Sequence, residues 1–133
     1  MNKIEHLGIA VANIEAANEL FAKLLGKAHY KIETVESEGV KTSFFKVGES
    51  KIELLEATNP ESPISKFLTK KGEGVHHIAF HVDDIEKEME RLKNEGFVLI
   101  NDNYKNGADN KQVCFLHPKS TGGVLIELCQ EKK

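Results

Sequence analysis

The chain repeats itself, and that duplication restricts its fold more than any other feature. His6-Leu7-Gly8-Ile9-Ala10-Val11 is matched by His77-Ile78-Ala79-Phe80-His81-Val82, 71 residues later. At the same offset Asn13-Ile14-Glu15 falls on Asp84-Ile85-Glu86, and Phe44 falls on Phe115. Such a chain is expected to build one small supersecondary unit and use it twice.

Each repeat opens on a strand and passes into an amphipathic helix. Ile14, Ala17, Phe21, Leu24 and Leu25 recur at helical spacing in the first, as do Ile85, Met89 and Leu92 in the second. Asn13, and Asp83 or Asp84, are predicted N-caps, because a side-chain oxygen there accepts from the unpaired amides of the first turn. Gly26 and Gly96 are predicted to end the helices. Each repeat then offers a hairpin, beginning at Phe44 and at Phe115. The second hairpin is three residues longer, which brings Glu53 onto Glu127 at an offset of 74. The extra residues fall in the turn at 118–123, where insertion is structurally cheap. The predicted unit is therefore strand, helix and three strands.

Between the repeats lies a short helical connector. Ser62 and Pro63 read as N-cap and first helical position, Ile64, Phe67 and Leu68 form an apolar stripe, and Gly72 is the stop. The expected organisation is a single domain over 1–133, with one module at 1–57, the connector at 58–74 and a second module at 75–133. The charge-rich stretch 86–95 reads as a solvated helix face.

Composition excludes several classes of function. With 133 residues, 40% hydrophobic and 29% charged, the chain has the balance of a soluble globular protein. Its net charge of −3 argues against a general nucleic-acid binder but leaves room for an anionic small molecule at a local lysine cluster. No apolar run approaches the roughly 20 residues that span a bilayer, and the first residues lack the apolar core of a signal peptide. Cys114 and Cys129 sit inside predicted strands and read as buried thiols, so a cytoplasmic location is expected.

The repeat points to a metal. Each unit places one histidine at the start of its first strand and one glutamate near the end of its last. Pairing the units would bring His6, Glu53, His77 and Glu127 to a common centre. Such a set of two imidazoles and two carboxylates suits Zn, Co, Ni, Mn or Fe without choosing between them, and the absence of Cys argues against a closed structural zinc. Lys51-Ile52-Glu53-Leu54-Leu55 and Leu125-Ile126-Glu127-Leu128-Cys129 set a carboxylate among apolar neighbours. Burying an unpaired carboxylate is costly, so it is normally paired, protonated or metal-bound. The structural alternative puts both glutamates on the solvent face of an edge strand; the coincidence of His and Glu in both halves outweighs it. By alternation His81 shares a face with His77, while His76 points away. His117 lies in a His-Pro turn, and His29 reads as an exposed loop residue.

With those residues in hand, the chain resembles the vicinal-oxygen-chelate superfamily and, within it, the methylmalonyl-CoA epimerase family. The resemblance spans nearly the whole length. It is most specific at Ser62-Pro-Ile-Ser-Lys-Phe-Leu68, at Gly74-Val-His-His-Ile-Ala-Phe-His-Val-Asp-Asp-Ile85 and at Phe115-Leu-His-Pro-Lys-Ser-Thr-Gly-Gly-Val-Leu-Ile-Glu-Leu128. It implies an α+β fold of two paired βαβββ modules forming a cup-shaped mixed sheet around a metal site, and commonly a homodimer. It implies an isomerase of propionate metabolism that interconverts (2R)- and (2S)-methylmalonyl-CoA by proton transfer at C2. His6, His77 and Glu127 fall on the family's ligand positions, and Glu53 on a fourth where some members carry Gln. The implied cofactor is one divalent ion, with Co, Zn, Mn, Ni and Mg left open.

Epimerisation needs proton carriers on both faces of a planar intermediate. The resemblance gives Glu127 as one. At the place of a second acid in some relatives this chain has Thr42, or Lys41, within Gly39-Val40-Lys41-Thr42-Ser43, and neither is a carboxylate. Glu53, His81 or a water on the metal are the remaining choices. Asp109-Asn110 also departs from the Gly-Ala-His-Gly that is often present. Lys119, with His117 and Ser120, is the expected contact for coenzyme A, through backbone amides and a point charge; an ordinary polar hairpin is the alternative. Rival readings are a glyoxalase I type lactoylglutathione lyase, a non-catalytic small-molecule-binding member of the superfamily, and an extradiol dioxygenase.

Overall fold

The computed structural model describes residues 1–132, in which the chain divides into two compact units. One is His6–His76; the other joins Met1–Glu5 to the chain from His77 onward.

The first unit runs β1 (Lys3–Ala10, entering the unit at His6), α1 (Ile14–Leu25), β2 (Lys31–Val35), β3 (Val40–Val47), β4 (Ser50–Ala57) and α2 (Pro63–Lys71). Its strands are ordered β2-β3-β4-β1, antiparallel except for the parallel pair of β1 and β4. Helix α1 starts where the Asn13 side chain accepts from the Ala16 amide at 2.9 Å, and stops where Gly26 takes a left-handed φ of 76°. Its apolar stripe buries Ile14 and Ala17 against Val11, Phe45 and Leu54. Strand alternation turns the other set of side chains, His6, Ala10, Phe44, Glu53 and Leu55, to the opposite face. Helix α2 covers one end of that face, packing Ile64 on Ala10 and Leu55. As expected, Ser62 caps α2 through its hydroxyl, Pro63 opens it and Gly72 closes it.

The second unit repeats the element order, with β5 (Gly74–His81, entering at His77), α3 (Ile85–Asn94), β6 (Lys105–Gly107), β7 (Lys111–Leu116) and β8 (Ile126–Glu131). Its strand order is β5-β8-β7-β6, again with one parallel pair, β5 with β8. Asp84 is the N-cap of α3, accepting from Lys87 at 3.1 Å. Glu95 is its last half-helical residue, and Gly96 follows at φ 96°. Ile85, Met89 and Leu92 bury against Val82, Cys114, Leu116 and Leu128. Ala79, Val113 and Cys129 form a smaller apolar cluster with Phe115.

The structure differs from the sequence reading in detail. The hairpin strands begin earlier, at Val40 and Lys111 rather than at Phe44 and Phe115, because neighbouring strands supply hydrogen-bond partners along the whole length. His29 is half-buried with its ring edge-on to Phe45 at 5.9 Å, so it is part of the packing around α1.

Candidate metal centre

Both units build the same local device from strand register. In the first, Glu53 of β4 lies beside Gly8 of the parallel strand β1, and His6 stands two residues earlier on the same face. The imidazole therefore leans diagonally onto the carboxylate, with His6 Nδ1 3.1 Å from Glu53 Oε2. In the second, Glu127 of β8 lies beside Ala79 of β5, and His77 stands two residues earlier. His77 Nε2 is 2.9 Å from Glu127 Oε1. All four side chains are buried, at 4%, 6%, 5% and 6% exposure in chain order. The structural alternative, with both glutamates facing solvent, fails here.

Aromatic rings flank each couple. Phe115 pairs with Glu127 across the β7–β8 ladder and sets its ring edge-on to His77 at 5.8 Å. Phe44 pairs with Glu53 across β3–β4, with Tyr30 stacked on it and Lys31 Nζ 4.8 Å above the ring. These rings set apolar surface beside the carboxylates, and charge interactions are stronger in such surroundings than in water.

The donor chemistry fits a divalent ion. Each couple offers an imidazole nitrogen and carboxylate oxygens from rigid strands; His6, His77 and Glu127 are candidate ligand groups. Buried groups that escaped the sequence reading as site residues include Cys129 and Lys51. Cys129, read as a buried thiol and buried as expected, places its Sγ 3.1 Å from Glu127 Oε2. The two-residue spacing of Glu127 and Cys129 on a strand was the available signal, since it sets both on one face. Lys51, beside His6 in the ladder, is buried despite its charge.

Other candidates have settled places. Thr42 is 1% exposed, shares the face of Glu53 and pairs with Leu55 on β4 and Glu33 on β2. His81 shares the face of His77, but its Nδ1 is tied to Asn2 Oδ1 at 2.7 Å. His76 packs edge-on against Phe67 of α2 at 5.0 Å, consistent with a structural role. In the β7–β8 connection, His117 Nδ1 accepts from the Lys119 amide at 3.1 Å and Ser120 Oγ donates to the His117 carbonyl at 2.9 Å. Ser120 also accepts from Val98 N at 3.1 Å, which ties the turn to the loop after α3. The side chains of His117 and Lys119 are exposed.

Comparison with known proteins gives the family. The sequence pattern of the Glyoxalase/Bleomycin resistance protein/Dioxygenase superfamily matches residues 5–115. The chain is 39% identical to the ethylmalonyl-CoA/methylmalonyl-CoA epimerase of Cereibacter sphaeroides, over 98% of each chain. It is 37% identical to the mitochondrial methylmalonyl-CoA epimerase of Mus musculus, over 98% of this chain and 74% of the relative. Among solved structures, a methylmalonyl-CoA epimerase in complex with methylmalonyl-CoA and NH4+ is similar with a TM-score of 0.93. That match has 34% identity and covers 97% of this chain and 94% of the other.

Proposed function

The chain belongs to the glyoxalase/bleomycin resistance protein/dioxygenase superfamily and carries its α+β fold, and we propose that it is a methylmalonyl-CoA epimerase. The carrying observation is the buried His–Glu couple, formed twice by the same register. In this reading the two units work as one domain, and His6, Glu53, His77 and Glu127 hold one divalent ion. When bound there, the ion would supply Lewis-acid stabilisation of the charge that develops on a thioester oxygen. Co, Zn, Mn, Ni and Mg all remain compatible with the nitrogen and oxygen donors.

The residues perform the rest. A C–H beside a thioester is a weak acid, so its removal needs a base fixed within hydrogen-bond reach. Glu127 is that base: a buried carboxylate whose orientation is set by His77 on one oxygen and Cys129 on the other. Inversion requires a second carrier on the opposite face of the planar enolate. Thr42 stands where some relatives have an acid, but a hydroxyl does not ionise at neutral pH. Glu53, which occupies in the first unit the position that Glu127 has in the second, takes this role. His81 is bound to Asn2 and serves the fold. Phe44 and Phe115 keep water from the enolate, which would otherwise be quenched without control of its face.

The coenzyme A handle is assigned to the β7–β8 turn. Lys119 offers an exposed charge, and His117 and Ser120 order the backbone around it. Among the described residues no helix is long and apolar enough to cross a membrane. We take the enzyme to be a cytoplasmic homodimer.

The test follows deuterium from solvent into C2 of methylmalonyl-CoA together with interconversion of the two epimers. Both are expected with the metal-loaded protein, and both should stop with a chelator. Turnover of a glutathione hemithioacetal instead would move the assignment to a lactoylglutathione lyase. Stoichiometric binding of methylmalonyl-CoA without exchange would make the chain a binding protein.

A further inference from the structure

We propose that Cys129 is a positioning residue of this enzyme, its thiol fixing the rotation of the Glu127 carboxylate. The inference rests on the epimerase reading above and adds a residue to its machinery.

Three observations carry it. Sγ of Cys129 lies 3.1 Å from Glu127 Oε2, while the other oxygen, Oε1, lies 2.9 Å from His77 Nε2. The carboxylate is thus held at both ends, and its two oxygens have different partners. Second, β8 places the two side chains on one face because they are two residues apart, and the ladder fixes that strand on both sides. Glu127 pairs with Ala79 and Phe115, and Cys129 pairs with His81 and Val113. Third, the thiol is fully buried in a cluster with Ala79, Val113 and Phe115, so its rotamer is set by packing.

The chemical consequence follows from what a carboxylate base must do. Rotation about its last side-chain bond exchanges the two oxygens and sweeps them through an arc. A base that turns freely spends only part of its time aimed at C2. A thiol is a weak donor, but a carboxylate is a strong acceptor, and a buried pair does not compete with water. The S–H bond therefore holds Oε2 in one plane and leaves Oε1 directed at His77. The energy scale of a hydrogen bond to a charged group corresponds to about a tenfold change in rate.

The experiment compares Cys129→Ala, Cys129→Val and Cys129→Ser with the parent protein. Alanine and serine remove nearly the same volume, so a role in packing alone predicts equal defects. The proposal predicts inequality: Cys129→Ala lowers kcat for methylmalonyl-CoA about tenfold with KM little changed, and Cys129→Ser restores most of it. If Cys129→Ala does not fold, Cys129→Val, which fills the space without a donor, carries the comparison. A second readout needs no activity. The S–H stretching band of Cys129, isolated by subtracting the infrared spectrum of Cys129→Ser, is expected at a hydrogen-bonded frequency. It should move toward the free-thiol frequency in Glu127→Leu, which removes the acceptor. Equal kcat for the alanine and serine variants, an undiminished kcat without the donor, or a free-thiol band in the parent would each overturn the inference. A parent protein with no turnover at all would overturn the epimerase reading instead, a result the infrared band distinguishes from failure of the contact.

Discussion

Replacing Glu127 with Gln separates what this side chain does for the fold from what it does for chemistry. The amide has nearly the same shape, so the ladder pairs with Ala79 and Phe115 are kept, as is an oxygen able to accept from Cys129. The site is only 6% exposed, so exchanging a charge for a neutral amide also removes a desolvation penalty. Against this stands the loss of the charge-assisted contact to His77 at 2.9 Å, a term of about 1.5–3 kcal/mol at most. The two effects oppose each other, and the net change in unfolding free energy is expected within about 1 kcal/mol, measured by urea denaturation of the metal-free protein. Catalysis has no such compensation. A neutral amide cannot take a proton from C2, and removal of a positioned general base typically costs ~10²–10⁴ in rate. Interconversion of the two epimers, followed by nuclear magnetic resonance, should fall at least a hundredfold, with metal content measured alongside on the same preparation. Turnover near that of the parent would refute the role given to Glu127. Loss of the folded state would refute the claim that this residue serves chemistry more than the core.

Three further outcomes are expected. Gly39→Ala forces a residue with a Cβ to φ 63°, with that carbon 2.8 Å from Asn59 Nδ2, so the urea midpoint should fall by the equivalent of about 1–2 kcal/mol with unchanged m-value; a shift smaller than the error would contradict it. The Arg91 guanidinium, which hydrogen-bonds Glu88 one turn earlier on α3, holds that carboxyl below its ordinary value of 4.5. Its folded pKa is depressed, so its stabilisation is complete above about pH 4.5 and is lost as pH falls through the folded value; Glu88→Gln should flatten the acid limb of Tm against pH, and an unchanged limb would refute the coupling. Burial pushes the Cys114 thiol up, so the native protein should leave Cys114 unlabelled by a thiol reagent at neutral pH while both cysteines react in guanidinium; rapid native labelling of Cys114 would show that the strand opens.

Much of the architecture was legible because its causes are local. Asn13, Asp84 and Ser62 begin helices through contacts spanning two or three residues, so capping chemistry announces them in the sequence. The duplicated strand–helix–three-strand order followed from periodicity and from a fixed offset. Less legible was the length of β6, which keeps only three residues before the turn at Asp109 and Asn110, both at positive φ. The start of β3 at Val40 was also missed, because a strand extends as far as its neighbours offer partners, and those are remote in sequence.

The site divides along the same line. The residue types and their recurrence could be read from the chain alone, since His6, Glu53, His77 and Glu127 recur at matched places whatever the fold does with them. That Gly8 lies beside Glu53, and Ala79 beside Glu127, depended on parallel registers joining strands far apart in sequence. Only those registers make each imidazole meet its carboxylate, and only packing within the second unit turns Cys129 from a small apolar residue into a donor to Glu127. Helix starts and alternating faces arise from sterics and hydrogen bonds between near neighbours, so the sequence determined them; register is set by which apolar faces are buried together, and that was decided by tertiary structure.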